Sequence, residues 1–399
     1  MHIALVLTQS LESPSGLGRY WPVARELAKL GYHVSVLAPH HDWTPAVPHH
    51  SVCDGVEVWC TGQMHVRKIG SRKEYFSPVQ LLRVSLQGAT NTARLIRHVQ
   101  PDVVHLGKPQ PINGLAARWT MLFNRRLPLF VDCDDLEAES NRVSGAWQRR
   151  TLAYFENSLP RRARGVTVNT RFMQQRLEGL GVAAHKIVYV PNGIDRKRFA
   201  GEALISRADK WPGDSAVSLR ILYLGSVELV SHPIDLLLDA MALVHQAEPR
   251  ASLLIVGGGA DLDKLRTRVS ERRQSEYVCF LERVPPHETA AYYHAAHVTV
   301  DPVYDDRTAQ ARSPLKIVES LGSGTPVVTG DVGDRRWLLE AGAAGILVRP
   351  GDPHALAEGL LKVLHDSDLR RCLQLGALQA RQHFWWDALV KDWLKVYSL

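Results

Sequence analysis

Long apolar runs are missing from this 399-residue chain. Nothing in it approaches the roughly 20 consecutive apolar residues that a membrane-spanning helix requires. The amino end, "MHIALVLTQS", lacks the basic start and small-residue cleavage site of a secretory leader, and it reads as a first buried strand. Cysteine is sparse. Cys53, Cys60, Cys133, Cys279 and Cys372 are scattered, odd in number, and form no C-x-x-C pair. That pattern excludes a disulfide framework and a thiolate zinc site, and it points to a reduced, cytoplasmic protein. There is no low-complexity tract and no short repeat, so a disordered chain or a solenoid is not expected. The sequence has no Walker loop, no G-x-S-x-G elbow and no nucleic-acid-binding module.

What is present is enough apolar residue for a large core, 45% of the chain, spread over a length that favours two domains. Charge is uneven. The first 200 residues hold 26 Lys+Arg against 15 Asp+Glu, a net +11, whereas the remainder is net −4. A basic half suits an anionic lipid surface or a phosphorylated acceptor, or it serves only as a solubilising face. The clusters Arg67-Lys68, Arg72-Lys73 and "RRARG" at 161–165 keep peripheral membrane contact open.

Short apolar strands alternate with amphipathic helical stretches. "IALVL", a helix over about 19–30, "HVSVLAP", "DVVHL", "LPLFVD" and "GVTVN" fill the first half. After a polar linker near 196–218 containing "WPGD", the pattern restarts with "LRILYLG", a helix over 233–246, "ASLLIVGGG", "YVCFL", "VTVDPV", "TPVVTG" and "GILVRP". Continuous apolar strands between helices predict parallel sheets buried on both faces. The fold class is therefore α/β, with two doubly wound Rossmann-like domains over 1–200 and 201–384. A helix over 385–399 follows. Ligands of such sheets bind beyond the carboxyl ends of the strands, so a cleft between the domains is the expected site.

The segment "RSPLKIVESLGSGTP" puts a cation where helices prefer negative charge. Ser313 is the expected N-cap and Pro314 the first helical residue, which leaves Lys316 in the first turn. That arrangement favours a bound anion, with Arg312, Ser313 and Lys316 converging on it. Glu319, one turn on, has the chemistry to accept ribose hydroxyls; the alternative is a Lys316–Glu319 surface pair. Gly16 and Gly18, in "SPSGLGRYW", permit close approach of backbone to a phosphate or sugar. His105 ends the strand "DVVH", as a catalytic group or a hydrogen-bonded structural one. In "VDCDDLEAE" at 131–139, Asp134 lies near the strand end, as a base, an orienting group or part of an acidic helix start.

These fragments in this order, with "PNGID", "VCFLERVPPHETAAYYHAAHVTVDP" and "AAGILVRPGDPHALAEGLLKVL", resemble the GT-B glycosyltransferases of family 4 over essentially the whole chain. The resemblance implies a retaining enzyme that moves a sugar from a nucleotide-diphosphate sugar to a polysaccharide, glycolipid or other acceptor. It implies no cofactor and no metal requirement. The carboxyl domain would bind the donor and the amino domain the acceptor, with the last helix crossing back to the amino domain. Donor contacts would come from Gly16, Gly18, Ser226, His232, Arg312, Ser313, Lys316 and Glu319. His105 and Asp134 would be catalytic, and Arg19 and Lys108 would face the acceptor. No nucleic acid partner is implied, and location is cytoplasmic, with peripheral contact at the inner membrane face open. Three departures stand out. Ser226 and His232 occupy the positions of the family's diphosphate-binding Arg and Lys. Ala311 replaces the first of two glutamates. Gly107 stands at the family's catalytic histidine. A catalytically weakened scaffold of the same fold, and a nucleotide-sugar epimerase, are the alternative readings.

Overall fold

The computed structural model describes residues 1–69, 72–141, 145–199 and 218–399. Most of the expected linker, including "WPGD", lies outside these residues, as do the side chains of Lys68, Arg72 and Lys73. Two compact units emerge: Met1–Asn192 together with Trp386–Leu399, and Gly193–Trp385.

In the first unit the strands are β1 (His2–Leu7), β2 (His33–His40), β3 (His50–Cys53), β4 (Val56–Gln63), a separate hairpin β5 (Val66–Ile69) and β6 (Arg72–Tyr75), then β7 (Val103–Gly107), β8 (Leu129–Cys133), β9 (Gly165–Val168) and β10 (Ile187–Tyr189). Eight of them form one sheet in the order β10-β9-β8-β7-β1-β2-β4-β3, parallel except for β3. All five residues of β7 and all five of β8 are buried, as the uninterrupted apolar runs require of strands covered on both faces. The helix Trp386–Leu394 belongs to this unit. Its Trp386, Leu389, Val390 and Trp393 share one core with Ile3, Leu5, Val23 and Leu27.

In the second unit β11 (Leu219–Leu224), β12 (Ala251–Val256), β13 (Val278–Leu281), β14 (Val298–Asp301), β15 (Val327–Gly330) and β16 (Gly345–Val348) form an all-parallel sheet, ordered β13-β12-β11-β14-β15-β16. The helices Ile234–Ala247 and Pro353–His365 supply Leu237, Met241, Val244, Leu360 and Val363 to a core shared with Ile221 and Leu253. Another cluster gathers Ile317, Val318 and Leu321 with Leu222, Leu254 and Trp385.

In both sheets the order of the parallel strands reverses once. The reversal falls between β1 and β7 in the first, and between β11 and β14 in the second. Loops leave such a point in opposite directions, which opens a crevice at the carboxyl ends of the strands. Leu7 and Gly107 end the two strands at the first crevice, Leu224 and Asp301 those at the second.

Candidate functional site

At the crevice of the second unit the turn after β12 needs glycine for steric reasons. A Cβ on Gly257, whose φ is +147°, would lie 1.9 Å from the carbonyl oxygen of Gly225. The glycine turn after β12 therefore packs directly on the loop after β11. Tyr223 donates its hydroxyl to the Ser226 carbonyl (2.7 Å), tying that loop to its own strand. Arg312 donates to the Ser231 carbonyl (2.6 Å), and the amide of His232 donates to Glu228 (2.8 Å). Ser226, His232 and Arg312 are thus brought to one loop.

Lys316 lies against the same loop. Its ammonium is 4.4 Å from the centre of the Tyr223 ring, and a Cβ on Gly225 would come within 3.1 Å of its Cε. The anion it faces is a protein carboxylate: Asp301, which ends β14, is 3.1 Å away. Asp301 also accepts from Arg335 Nε (2.9 Å). Burial alone would raise the Asp301 carboxyl, but Lys316 and Arg335 outweigh it and hold the group at about 2. Burial pulls the Lys316 ammonium down, with Asp301 opposing. The Lys316–Asp301 contact is not aligned as a hydrogen bond. The lysine at a helix start is therefore explained first by an internal partner 15 residues away in sequence.

Two details of this helix differ from the sequence expectation. It runs Leu315–Gly322, with Pro314 rather than Ser313 at the cap position, in extended geometry (φ −74°, ψ 113°). Pro314 takes the cap because its ψ has not yet turned helical. Both oxygens of Glu319 have partners inside the protein. One oxygen pairs with Arg198 (2.8 Å) and the other accepts the Tyr293 hydroxyl (3.1 Å).

In the first unit the crevice is lined by a buried charge network. Arg19 is 1% exposed and meets Asp132 with two parallel 2.7 Å bonds. It also donates to the Val190 carbonyl (3.0 Å) and to Asn192 Oδ1 (3.2 Å). Tyr20 (3.0 Å) and Thr167 (2.6 Å) donate to the same carboxylate. The expectation that Arg19 faces an acceptor is corrected: its donors are consumed inside the protein. Gly16 and Gly18 also have packing roles. A Cβ on Gly16 would lie 2.3 Å from the Leu11 carbonyl oxygen, and the Gly18 carbonyl accepts from the Trp386 indole (3.0 Å).

His105 is corrected for the same reason. Strand alternation turns its ring to the face covered by the last helix. There it stacks on Trp393 at 4.7 Å between ring centres and bonds Tyr397 (2.9 Å) and Thr167 (3.3 Å). Burial drives its pKa down to about 3, against the pull of Asp132. It is a neutral structural histidine with no path to a reacting atom. Gly107 leaves no room for a side chain, since a Cβ there would lie 2.8 Å from both Leu7 and the Tyr20 ring.

Lys108 and Asp134 do come together. Lys108, at φ +78°, lies 2.8 Å from Asp134 and 2.9 Å from Glu137. Asn113 Nδ2 sits within 3.2 Å of the Val6, Gly107 and Lys108 carbonyls, which supports this unusual backbone. Gln110 (2.5 Å) and Asn141 (2.8 Å) both donate to Glu137 Oε2. Burial raises the Asp134 carboxyl to about 6, with Lys108 opposing and Asp132 adding to the rise. A strained residue at a strand end beside a carboxylate poised near neutrality is the arrangement in which acid–base or hydroxyl-orienting chemistry is possible.

Comparison with known proteins adds to this geometry. The family model described as glycosyl transferase 4-like domain matches residues 15–193, and that described as glycosyl transferases group 1 matches residues 218–366. The phosphatidyl-myo-inositol mannosyltransferase of Mycobacterium tuberculosis is 28% identical over 404 aligned positions, covering 100% of this chain and 97% of that protein. The chain is a GT-B glycosyltransferase of family 4. It is an enzyme of the sugar-transferring class. Two solved GT-B structures share its fold. The sucrose-phosphate synthase of Thermosynechococcus elongatus has a TM-score of 0.78 at 20% identity, covering 100% of this chain and 98% of that one. HepE of Anabaena, in complex with UDP-glucose, has a TM-score of 0.70 at 16% identity, with full coverage of both chains.

Within this glycosyltransferase, sequence reasoning missed Asp132, Asp301, Arg198 and Tyr223. Asp132 and Asp301 each lie in or at the end of an apolar strand, in "LFVDC" and "VTVD". A carboxylate in such a run must have a buried cation. That was the available signal. Arg198 and Tyr223 carried none.

Proposed function

We propose that this glycosyltransferase moves a hexose, with retention of anomeric configuration, from a nucleotide-diphosphate sugar to a lipid-linked or saccharide acceptor, without a metal ion in the chemical step. The observation that carries the reading is Lys316 beside the Gly225 loop, at the point where the second sheet reverses. Negative charge develops on the departing diphosphate, so the reaction needs fixed cations and backbone dipoles at that point. Lys316 would supply the charge, Arg312 and His232 would stand in for the family's missing pair, and Glu319 would exchange Arg198 for the ribose hydroxyls. The Lys108–Asp134 pair would orient the acceptor in the first unit.

A lipid-linked acceptor is favoured by two features. The likeness to a phosphatidyl-myo-inositol mannosyltransferase extends over the full chain. The helix Pro78–Val99 exposes Val79, Leu82 and Leu86 on one face, next to exposed Arg83, in the half that carries a net +11. No helix among the described residues is long and apolar enough to cross a membrane; the exposed apolar face beside basic residues would make this contact at a lipid surface.

The test is nucleoside diphosphate release from a panel of UDP-, GDP- and ADP-hexoses, with thermal shift as a separate measure of binding. Lys316→Ala should weaken donor binding tenfold or more, and chelator should leave the rate unchanged. Silence across the panel in both assays defeats the reading. Undiminished donor affinity in Lys316→Ala defeats the site. Cosedimentation with anionic vesicles, lost in Leu82→Asp, tests the membrane contact.

A further inference from the structure

The amino ends of the first sheet, at the opposite edge from the crevice, hold a second constellation. His2 opens β1, His33 opens β2, and Glu57 is the second residue of β4. The parallel register pairs His2 with His33 and Ser35 with Glu57. Because side chains alternate with period two, His2, His33, Ser35 and Glu57 project from one face of the sheet. The two imidazoles stack with ring centres 3.8 Å apart and 17° between planes, so one ring must turn out of the stack for both in-plane lone pairs to reach one ion. The three candidate donor atoms lie within 4.8 Å of one another.

We propose that His2, His33 and Glu57 form a zinc-binding site that clamps β1, β2 and β4 together. Two imidazole nitrogens and one carboxylate oxygen are a donor set that zinc accepts, with a water completing the tetrahedron. At zinc–ligand distances of about 2.0–2.1 Å, neighbouring donors of a tetrahedron lie roughly 3.3 Å apart. His33 Nε2 and Glu57 Oε1 are already 3.2 Å apart. The orientation of Glu57 is set from behind. Its Oε2 accepts from Ser35 Oγ (2.8 Å) and Trp59 Nε1 (3.3 Å), leaving Oε1 turned to the histidines. Ser35 Oγ also contacts His2 Nε2 (2.9 Å). Such outer hydrogen bonds are what hold metal-binding carboxylates and imidazoles in place. His33 is exposed, so an ion has a path in. The role is stabilising rather than catalytic, because a strand's length, roughly 16–20 Å, separates this edge from the crevice.

The experiment titrates the full-length, chelator-treated protein with zinc chloride, by calorimetry and by thermal unfolding. One zinc should bind per chain with a dissociation constant below about 10 µM, and the unfolding temperature should rise. His33→Ala and Glu57→Gln should each weaken binding at least tenfold and remove the rise. His41→Ala serves as the control. It alters the separate group Glu12, His40 and His41 and should change neither readout. Absence of one-to-one binding overturns the proposal. So does binding that survives both His33→Ala and Glu57→Gln, or that His41→Ala removes.

Discussion

Replacing His105 with glutamine should change how the stability of the first unit depends on pH while leaving catalysis intact. In the folded chain the ring is 1% exposed and its pKa is pushed down to about 3, mainly by burial. The unfolded value is about 6.5. A group whose folded pKa is depressed binds its proton first in the unfolded state. The stability present above about pH 6.5 is therefore lost as pH falls, and the loss continues toward pH 3. Each unit below 6.5 costs about 1.4 kcal/mol, so pH 5 costs about 2 kcal/mol relative to pH 8. No discount for solvent applies, because the ring is enclosed by Trp393, Phe130 and Tyr397. Glutamine keeps a polar partner for Tyr397 and Thr167 and removes the titration. Hydrogen exchange of the β7 amides gives the local opening free energy at pH 8 and pH 5. The wild type should lose about 2 kcal/mol more than His105→Gln between the two. Equal losses in the two proteins, or the His105 imidazole resonance titrating near 6.5, would refute the reasoning. So would a collapse of the transfer rate in the variant at pH 8, because a structural histidine should not touch the reaction.

Asp134 carries the opposite sign. Its folded pKa is raised to about 6, so the fold favours its protonated form and loses that advantage as pH rises through 6. Asp134→Asn should therefore stabilise the protein relative to wild type at pH 8 and not at pH 4, measured by urea denaturation. Arg19→Lys keeps the charge but loses the fork that grips Asp132, and should cost about 2–4 kcal/mol in the same assay. A cost under about 1 kcal/mol would show that the network is not structural. Gly16→Ala forces a Cβ into the Leu11 carbonyl and should cost more than Gly31→Ala, which meets only open space at φ +87°. The second change should cost about 1 kcal/mol, and a reversal of the order would refute the steric account.

Much of the architecture was legible in the chain. The runs "IALVL", "HVSVLAP", "LRILYL" and "ASLLIV" are all strands, and the helix before "GSGTP" ends on Ser323 and on Gly324 at φ +71°. Strand-end placement singled out Asp134, the helix start singled out Lys316, and the family resemblance added Lys108; all three lie near strand carboxyl ends. The partners were not legible. Arg19 and Asp132 are 113 residues apart, and His105 meets Tyr397 across 292. A basic residue near a glycine loop, or a histidine near a strand end, looks the same in sequence whether it faces solvent or a buried carboxylate.

The sequence by itself determined two largely parallel sheets, because apolar periodicity and turn chemistry act over a few residues, and the order of its motifs carried the resemblance to the family. The strand order and its reversal points came only with the tertiary structure. Only the tertiary structure decided which charges are free for chemistry. Burial raises the cost of an unpaired charge, so each buried cation must find a carboxylate, and that partner is chosen by packing across the fold. On that basis Arg19 and His105 left the candidate site, Asp301 joined Lys316, and His2, His33 and Glu57 became neighbours across three strands.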